Sequence, residues 1–416
     1  MISRHIKDAL KRNRLLKDGY YFLKANFSKN QGDNSYKYYN YPWQTELEVR
    51  MDLLRRAKAS KTEQPTIVFL YPEPDAGTFR YRVYNQMQIL NEDLGVTSVH
   101  FNEGELDDLA KNIRDVDLLV LCRFTWSSKV AKLISQFKST GKTVLYDFDD
   151  LIFDVDSLPQ IIEQIDAKPE EEGFYFYYSA TRYLLAKSAD EFTTTNQFLA
   201  DKISEYFSKK SSVIPNFLNK KQLKVSQEIY TQKREKTNNA KFTIGYFSGT
   251  KTHNRDFALV ADTLIEIMTQ YKNVNLHITG LLELPAAFDR FRNRITKTGL
   301  KNYVDLQYEI SKCDINLVPL PLNDFANSKS EIKYFEAAIV GVPTLAVPTY
   351  TFSKAITHEQ NGFIAEVDKW KQILSDVITG KYDLDRIARN ARIHSIENYS
   401  GKKIEENISR TYAQFL

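Results

Sequence analysis

The sequence predicts an α/β protein built from two doubly wound parallel-sheet domains. Three observations lead there. A length of 416 residues fits two domains of ordinary size. In both halves, short apolar runs alternate with stretches of helical periodicity, the pattern of a parallel sheet flanked by helices. Between the halves, Lys220 to Lys241 is rich in Lys, Gln and Asn and poor in large apolar residues, as a connecting segment would be. Sheets of this kind bind ligands beyond the carboxyl ends of their strands, so the loops after the strands are where chemistry is expected.

Composition removes several alternatives. A net charge of +4 is small against 57 basic and 53 acidic side chains, which gives no reason to expect nucleic-acid binding. Cys122 and Cys313 each fall in an expected strand and fit buried thiols better than a disulfide or a metal site. No apolar run is long enough for a membrane span. The first residues lack the apolar core of a signal peptide, so a cytoplasmic protein is expected. Residues 1–60 read as a basic extension. Within it, Arg4, Lys7, Lys11, Arg12, Arg14, Lys17 and Lys24 accompany Ile6, Leu10 and Leu16 in a loosely amphipathic pattern. Such a stretch suits either packing on the first domain or peripheral contact with the anionic inner face of a membrane. A Tyr-rich loop at 30–43 and a helix from Thr45 to Ala59 complete it.

The first domain is expected over 61–217. Thr66 to Tyr71 is a buried strand, Pro72 to Gly77 a loop, and Phe79 to Leu94 a helix. Strands at Val96–Phe101, Leu118–Cys122 and Thr143–Phe148 follow, with helices near 105–114 and 127–139. Three loops carry notable residues. In Gly77 to Arg82, the glycine permits close backbone approach, and Arg80 and Arg82 suit a phosphate, an acidic ligand or an ion pair on the helix. Arg123 follows the third strand directly. Tyr146 to Leu151 contains Asp147, Asp149 and Asp150, which repel one another unless they have a task, a counter-charge or a helix to cap. Residues 166–173 are acidic and loop-like, and Phe174 to Lys187 is an aromatic helix, either buried or lining the ligand side. Glu191–Thr194, a helix over Gln197–Tyr206 and the strand Ser212–Ile214 lead to Pro215-Asn216, which ends the domain.

After a linker at 218–241, the second domain is expected over 242–398. Phe242 to Phe247 runs into Ser248-Gly249-Thr250-Lys251-Thr252-His253-Asn254-Arg255-Asp256, a strand, turn and helix start that would cradle an anion. The spacing of a P-loop is absent. His253 fits either a ligand contact or a helix cap. Strands are expected at Asn275–Thr279, closed by Gly280, at Asp305-Leu306, at Asp314–Leu320, at Thr344–Val347 and at Gly362–Val367. A helix is expected to start at Ser328, where Ser328-x-x-Glu331 fits a capping box, and to stop at Gly341 and Pro343. Ile332, Phe335 and Ile339 would pack on the sheet, leaving Lys329, Lys333 and Glu336 on an adjacent face. The start of that helix suits a phosphate, and Glu336 would lie ~12 Å along the axis, in reach of a sugar hydroxyl. Spacing alone fits an ordinary solvated helix equally well. Asp385–Asn398 and a terminal helix within 399–416 close the chain.

The segment Glu336-Ala-Ala-Ile-Val-Gly-Val-Pro343 resembles the donor-binding segment of glycosyltransferases with the GT-B fold, most closely the family 4 retaining enzymes of bacterial surface-polysaccharide synthesis. Lys329-Ser330-Glu331-Ile332-Lys333 and Tyr146-Asp147-Phe148-Asp149-Asp150 are similar to a subgroup of these, with hexosyl or deoxyhexosyl (rhamnosyl-type) transfer. The family's first glutamate is replaced by Ser328. The resemblance implies two Rossmann-like domains and transfer of a sugar from a dTDP-, UDP- or GDP-linked donor to a glycan or lipid-linked acceptor. It implies no required cofactor or metal, and a terminal helix crossing back to the first domain. By the same resemblance Glu336 would hold the ribose, and Lys251, with Arg255 second, would neutralise the leaving diphosphate. Gly249, Thr250, His253, Gly280, Ser330, Glu331 and Lys333 would complete the donor site. Lys329 would join Lys251, Asp149 and Asp150 at the reacting centre, and Gly77, Arg80, Arg82 and Arg123 would face the acceptor. Two other readings fit parts of the sequence: a metal-dependent transferase using Asp147 and Asp149, and a non-catalytic glycan-binding or assembly subunit, suggested by Ser328. A nucleotide-sugar epimerase on the same fold is related.

Overall fold

The computed structural model describes residues 39–60, 64–75, 77–154, 156, 158–159, 162, 169–235, 241–249 and 254–416. The basic stretch at 1–24 lies outside them, as do Thr250, Lys251 and His253. In chain order the elements are α1 (Leu47–Ala59), β1 (Thr66–Leu70), a π-helical turn (Arg80–Tyr84) running into α2 (Asn85–Glu92), β2 (Thr97–Phe101), α3 (Leu106–Lys111), β3 (Leu118–Cys122), α4 (Ser128–Lys138), β4 (Thr143–Phe148), α5 (Pro169–Ala186), β5 (Glu191–Thr194), α6 (Gln197–Phe207) and β6 (Ser211–Val213). There follow α7 (Lys220–Glu235), β7 (Phe242–Ser248), α8 (Asn254–Gln270), β8 (Val274–Gly280), β9 (Ile295–Thr298), α9 (Tyr303–Ser311), β10 (Ile315–Val318), α10 (Asp324–Ser328), α11 (Ile332–Ile339), β11 (Thr344–Ala346), α12 (Tyr350–Ala355), β12 (Phe363–Ile364), α13 (Trp370–Ile378), α14 (Leu384–Tyr399) and α15 (Lys402–Ala413).

The strands form two six-stranded parallel sheets, β2-β1-β3-β4-β5-β6 and β12-β11-β10-β7-β8-β9. Helices cover both faces, so central strands such as TIVFL and LLVLC are apolar at successive positions and wholly buried. Strand order reverses between β1 and β3 in the first sheet and between β7 and β10 in the second. At such reversals the connecting helices diverge and leave a crevice at the carboxyl ends. The loops after β1 and β3, and those after β7 and β10, therefore occupy the two ligand positions this topology offers.

Five details depart from the sequence reading. Asp305-Leu306 lies within α9 and is not a strand; Asn302 caps that helix through Val304 and Asp305 N–H. β9, with only partly buried positions, carries too weak an apolar signal to be recognised. The connecting segment is mostly the helix α7, whose Tyr230 packs on Gly341, where φ is +70°. The helix expected from Ser328 is broken in two. Asn323 caps the short α10, Lys329 has extended backbone, and α11 begins only at Ile332, so no capping box forms at Ser328. Finally, Lys329 does not share a helix face with Lys333 and Glu336, because it precedes the helix.

α15 returns to the first domain, where the Tyr412 hydroxyl donates to Gln86 Oε1 at 2.5 Å and Asn407 Nδ2 donates to the Val213 carbonyl. Among the described residues no helix is long and apolar enough to cross a membrane. Inside the first domain, Arg82 is fully buried. Its guanidinium spans Asp147 at 2.9 and 2.6 Å, the Ile214 carbonyl and Asn216 Oδ1. One side chain thus ties the turn after β1 to β4 and to the end of β6. Removing the cation strands a buried carboxylate, so Arg82→Gln should cost about 3–5 kcal/mol in urea unfolding. A cost below about 1 kcal/mol would show that Asp147 finds another partner.

Candidate functional site

The cleft between the two sets of carboxyl ends is built from both domains. On the first-domain side, Arg123 has left-handed backbone at φ 54°, rare for a non-glycine residue. That conformation turns its guanidinium back onto Asp149, with Nε and Nη2 at 2.9 and 2.7 Å from the two carboxylate oxygens. Thr78, from the loop after β1, donates to Asp149 Oδ2 at 3.1 Å. Gly77 is exposed beside it and donates its N–H to Asp75. Burial works against the Asp149 charge, but Arg123 outweighs it and holds the carboxyl below its ordinary value. Asp150 behaves oppositely. Burial raises it; Lys329 counters that, while the Asp149 charge adds to it. The two adjacent carboxyls are thus shifted in opposite directions, Asp149 down and Asp150 up, the pattern from which acid and base roles arise.

Asp150 also meets the second domain. The Ser328 hydroxyl lies 2.9 Å from Asp150 Oδ1, and Leu151 N–H reaches the same hydroxyl at 3.3 Å. Asn196 donates to the Ser328 carbonyl at 2.8 Å, and Asn216 donates to Ser330 Oγ at 2.8 Å. The break between α10 and α11 therefore sits over the carboxylate pair. Lys329 stacks on Phe325 with its Nζ 4.4 Å from the ring centre, and its charge acts on Asp150.

Deeper in the interface, Glu336 of α11 is 6% exposed. Its Oε1 accepts from Arg80 Nη2 at 3.1 Å, Gln222 Nε2 at 3.1 Å and the Tyr81 hydroxyl. Burial pushes the Tyr81 phenol well up, so it is a donor here. Arg80 lies between Tyr81 and Tyr303, 4.0 and 4.8 Å from the ring centres; despite burial, the fields of Tyr81 and Glu336 hold it above its ordinary value. Lys333, one turn before Glu336, is brought down to about 8 by burial, aided by the Lys329 charge and opposed by Asp256 and Glu336. Glu331 is turned the other way, accepting from the Tyr399 hydroxyl at 2.7 Å, and burial raises it.

The remaining expected residues are placed as follows. Gly249 is exposed at the end of β7, and Arg255 is exposed in the first turn of α8. Gly280 has φ +108°, and a Cβ there would lie 1.7 Å from the Ser248 carbonyl oxygen, so only glycine lets the ends of β7 and β8 meet. Arg82 is committed inside the first domain and has no exposed side chain to offer a ligand. Asp147 is likewise held by Arg82 and Thr193, and Asp149 by Arg123, so the pair suggested for a metal is already neutralised by guanidinium groups. Tyr81, Gln222, Asn196 and Asn216 were missed by sequence reasoning; each is an ordinary helix, strand-end or loop residue until the domains meet.

No protein-family profile matches this chain, and no curated protein matches it in sequence. Solved structures do resemble it. HepE of Anabaena, in complex with UDP and glucose, superposes with TM-score 0.58 over 84% of this chain and 100% of its own, at 14% identity. The sucrose-phosphate synthase of Thermosynechococcus elongatus gives TM-score 0.58 over 84% and 99%, at 12% identity. A glycosyltransferase of Rickettsia africae gives 0.58 over 85% and 98%, at 13% identity. The chain has the GT-B fold: two Rossmann-like α/β domains facing one cleft.

The Lys333 shift has a definite sign. Between pH about 8 and 10.5 the unfolded chain binds the proton that the native site has lost, so stability rises with pH in that window. Wild type should therefore gain on Lys333→Met across it, read by urea unfolding at matched pH. A gap independent of pH would place Lys333 in solvent.

Proposed function

We propose that this protein is a glycosyltransferase that moves a sugar from a nucleotide-diphosphate sugar to a glycan or lipid-linked glycan in cell-surface polysaccharide synthesis. One observation carries the reading: the chain entering α11 meets the Asp149–Asp150 pair across a single cleft, Ser328 bonding to Asp150 and the Lys329 charge acting on it, with Ser330 held by Asn216 beside them. A cationic helix start suits a diphosphate, and a carboxylate pair opposite suits the hydroxyl that attacks. The solved neighbours support the donor class, since HepE was captured with UDP and with UDP-glucose.

In this reading the diphosphate lies at the start of α11, and the ribose reaches Glu336 by taking over the hydrogen bonds now made by Arg80 and Tyr81. Lys251, assigned by resemblance, and Lys329 stabilise charge growing on the leaving phosphate oxygen, an electrostatic contribution that needs no metal. The acceptor oxygen bonds to the anomeric carbon as the bond from that carbon to the phosphate oxygen breaks. In a retaining, front-face reaction the departing phosphate takes the hydroxyl proton. Asp149 stays ionised to orient the acceptor, and Asp150, with its raised carboxyl, is the group able to take the proton if the reaction inverts instead. Gly77 and Arg123 border the acceptor side, whereas Arg80, expected there, is turned onto Glu336 on the donor side. In this reading the enzyme works in the cytoplasm, peripheral at the inner membrane face, where it would meet a lipid-linked acceptor. Ser328 also supports a second reading, a non-catalytic glycan-binding subunit, because its hydroxyl is tied to Asp150 where the resembled family has a glutamate.

Calorimetry with UDP-, dTDP- and GDP-sugars should find one donor class that binds wild type and binds Glu336→Ala about ten- to a hundredfold more weakly, the loss of a charge-assisted hydrogen-bond pair. Near-normal binding by that variant would overturn the donor site. Early-time proton NMR of the product should show the anomeric configuration of the donor; the opposite anomer would rule out front-face attack and move the base role to Asp150.

A further inference from the structure

One helix of the first domain is only partly explained by packing. α5 is tied to the cleft where the Trp126 N–H donates to the Thr181 carbonyl at 3.0 Å, three residues after Arg123. From there its preceding turns run outward; Phe174 lies about 10 Å further along the axis at 1.5 Å per residue. Phe174, Tyr178 and Arg182 are spaced four apart and fall on one stripe. They are in contact along the stripe, with the rings of Phe174 and Tyr178 4.2 Å apart at their centres and tilted by 50°, and the Arg182 guanidinium 5.2 Å from the Tyr178 ring. Phe174 is 57% exposed, Tyr177 on the next turn 61%, and Trp126, at the cleft end of the helix, 45%. A row of aromatic rings, Phe174 and Tyr177 exposed and Tyr178 half-exposed, running toward a cleft offers surface on which sugar rings can stack.

Arg182 ends that row, and its charge is unanswered. Its Nε is buried with no hydrogen-bond partner, and among the described residues no carboxylate pairs with it. Burial lowers the guanidinium from its ordinary value, Tyr146 and Asp149 oppose this, and Arg123 adds to it, so Arg182 belongs to the electrostatic surroundings of the Asp149 pair. Asp149 is already spent on Arg123. Arg182 is half-buried with its Nε unsatisfied, so an anion brought to it would satisfy a donor that water does not reach, and a guanidinium fork matches carboxylate and phosphate oxygens.

We infer that the Phe174–Tyr178–Arg182 stripe is an acceptor subsite for an anionic sugar: the ring stacks on Tyr178 and Phe174 while a carboxylate or phosphate on it pairs with Arg182. This rests on the transferase reading and narrows its acceptor to acidic glycans. Saturation-transfer NMR on the full chain with methyl glucuronide, methyl glucoside and methyl glucoside 6-phosphate tests it. At least one anionic ligand should bind about ten- to a hundredfold more tightly than the neutral glucoside, and which one does identifies the anion. The preference should vanish in Arg182→Gln, and Tyr178→Ala should weaken all three ligands. Equal binding of the three, or a preference that survives Arg182→Gln, overturns the inference. Should Arg182→Gln not fold, the arginine Nε–H spectrum of wild type serves: the anionic ligand should shift one resonance that the glucoside leaves in place, and no such shift overturns it. Nucleotide-sugar binding is titrated on the same samples. Loss of donor binding alone removes the transferase reading and leaves the anion subsite, whereas loss of the anion preference alone removes only the subsite.

Discussion

The buried Arg82–Asp147 pair is the constraint on which the cleft depends. Its guanidinium joins the turn after β1, the middle of the sheet at β4 and the chain leaving β6. Asp147 in turn sets where β4 ends, and hence where Asp149 and Asp150 emerge. The same guanidinium holds Asn216, whose amide reaches Ser330 in the other domain. A short relay therefore runs from the core of the first domain to the start of α11. A buried ion pair of this kind adds little net stability over an apolar substitute, but leaving one partner alone is expensive. That asymmetry makes it a device for fixing geometry.

The cleft repeats this logic at its surface. Each anion that lines it has a specific cation or donor: Asp149 has Arg123 and Thr78, and Glu336 has Arg80, Tyr81 and Gln222. Burial raises the Asp150 carboxyl and brings Lys333 down to about 8. Arg80 and Tyr81 of the first domain occupy the Glu336 oxygen that, under the proposed function, a ribose would use. Ligand entry would then be an exchange of hydrogen bonds rather than the creation of new ones, which keeps a buried carboxylate satisfied throughout.

Much of this was legible in the sequence. β3, β4 and β5 fall where their apolar runs place them, because strands buried on both faces leave a continuous signal. The carboxylates after β4 and the arginine after β3 could be singled out because ligand loops follow strands. The break at Lys329 could not. Ser328-x-x-Glu331 is a good capping box in isolation, but Asn323 caps an earlier short helix and the interdomain bonds of Ser328 and Ser330 hold the chain extended between. α9 was mistaken for a strand because Asp305-Leu306 shows too little periodicity to distinguish a turn of helix from a strand end.

The sequence by itself determined the alternation of strands and helices, the two parallel sheets and the residue types at the strand ends, since these follow from local periodicity and turn chemistry. The tertiary structure alone decided which charges met. Arg80 and Arg82 are separated by one residue, yet one crosses to Glu336 in the second domain and the other is sealed onto Asp147. Asp149 and Asp150 are neighbours, yet one carboxyl is held below its ordinary value and the other above it. Adjacent residues on a π-helical turn or a strand end point to different surroundings, and in a low-dielectric interior those surroundings fix charge and role.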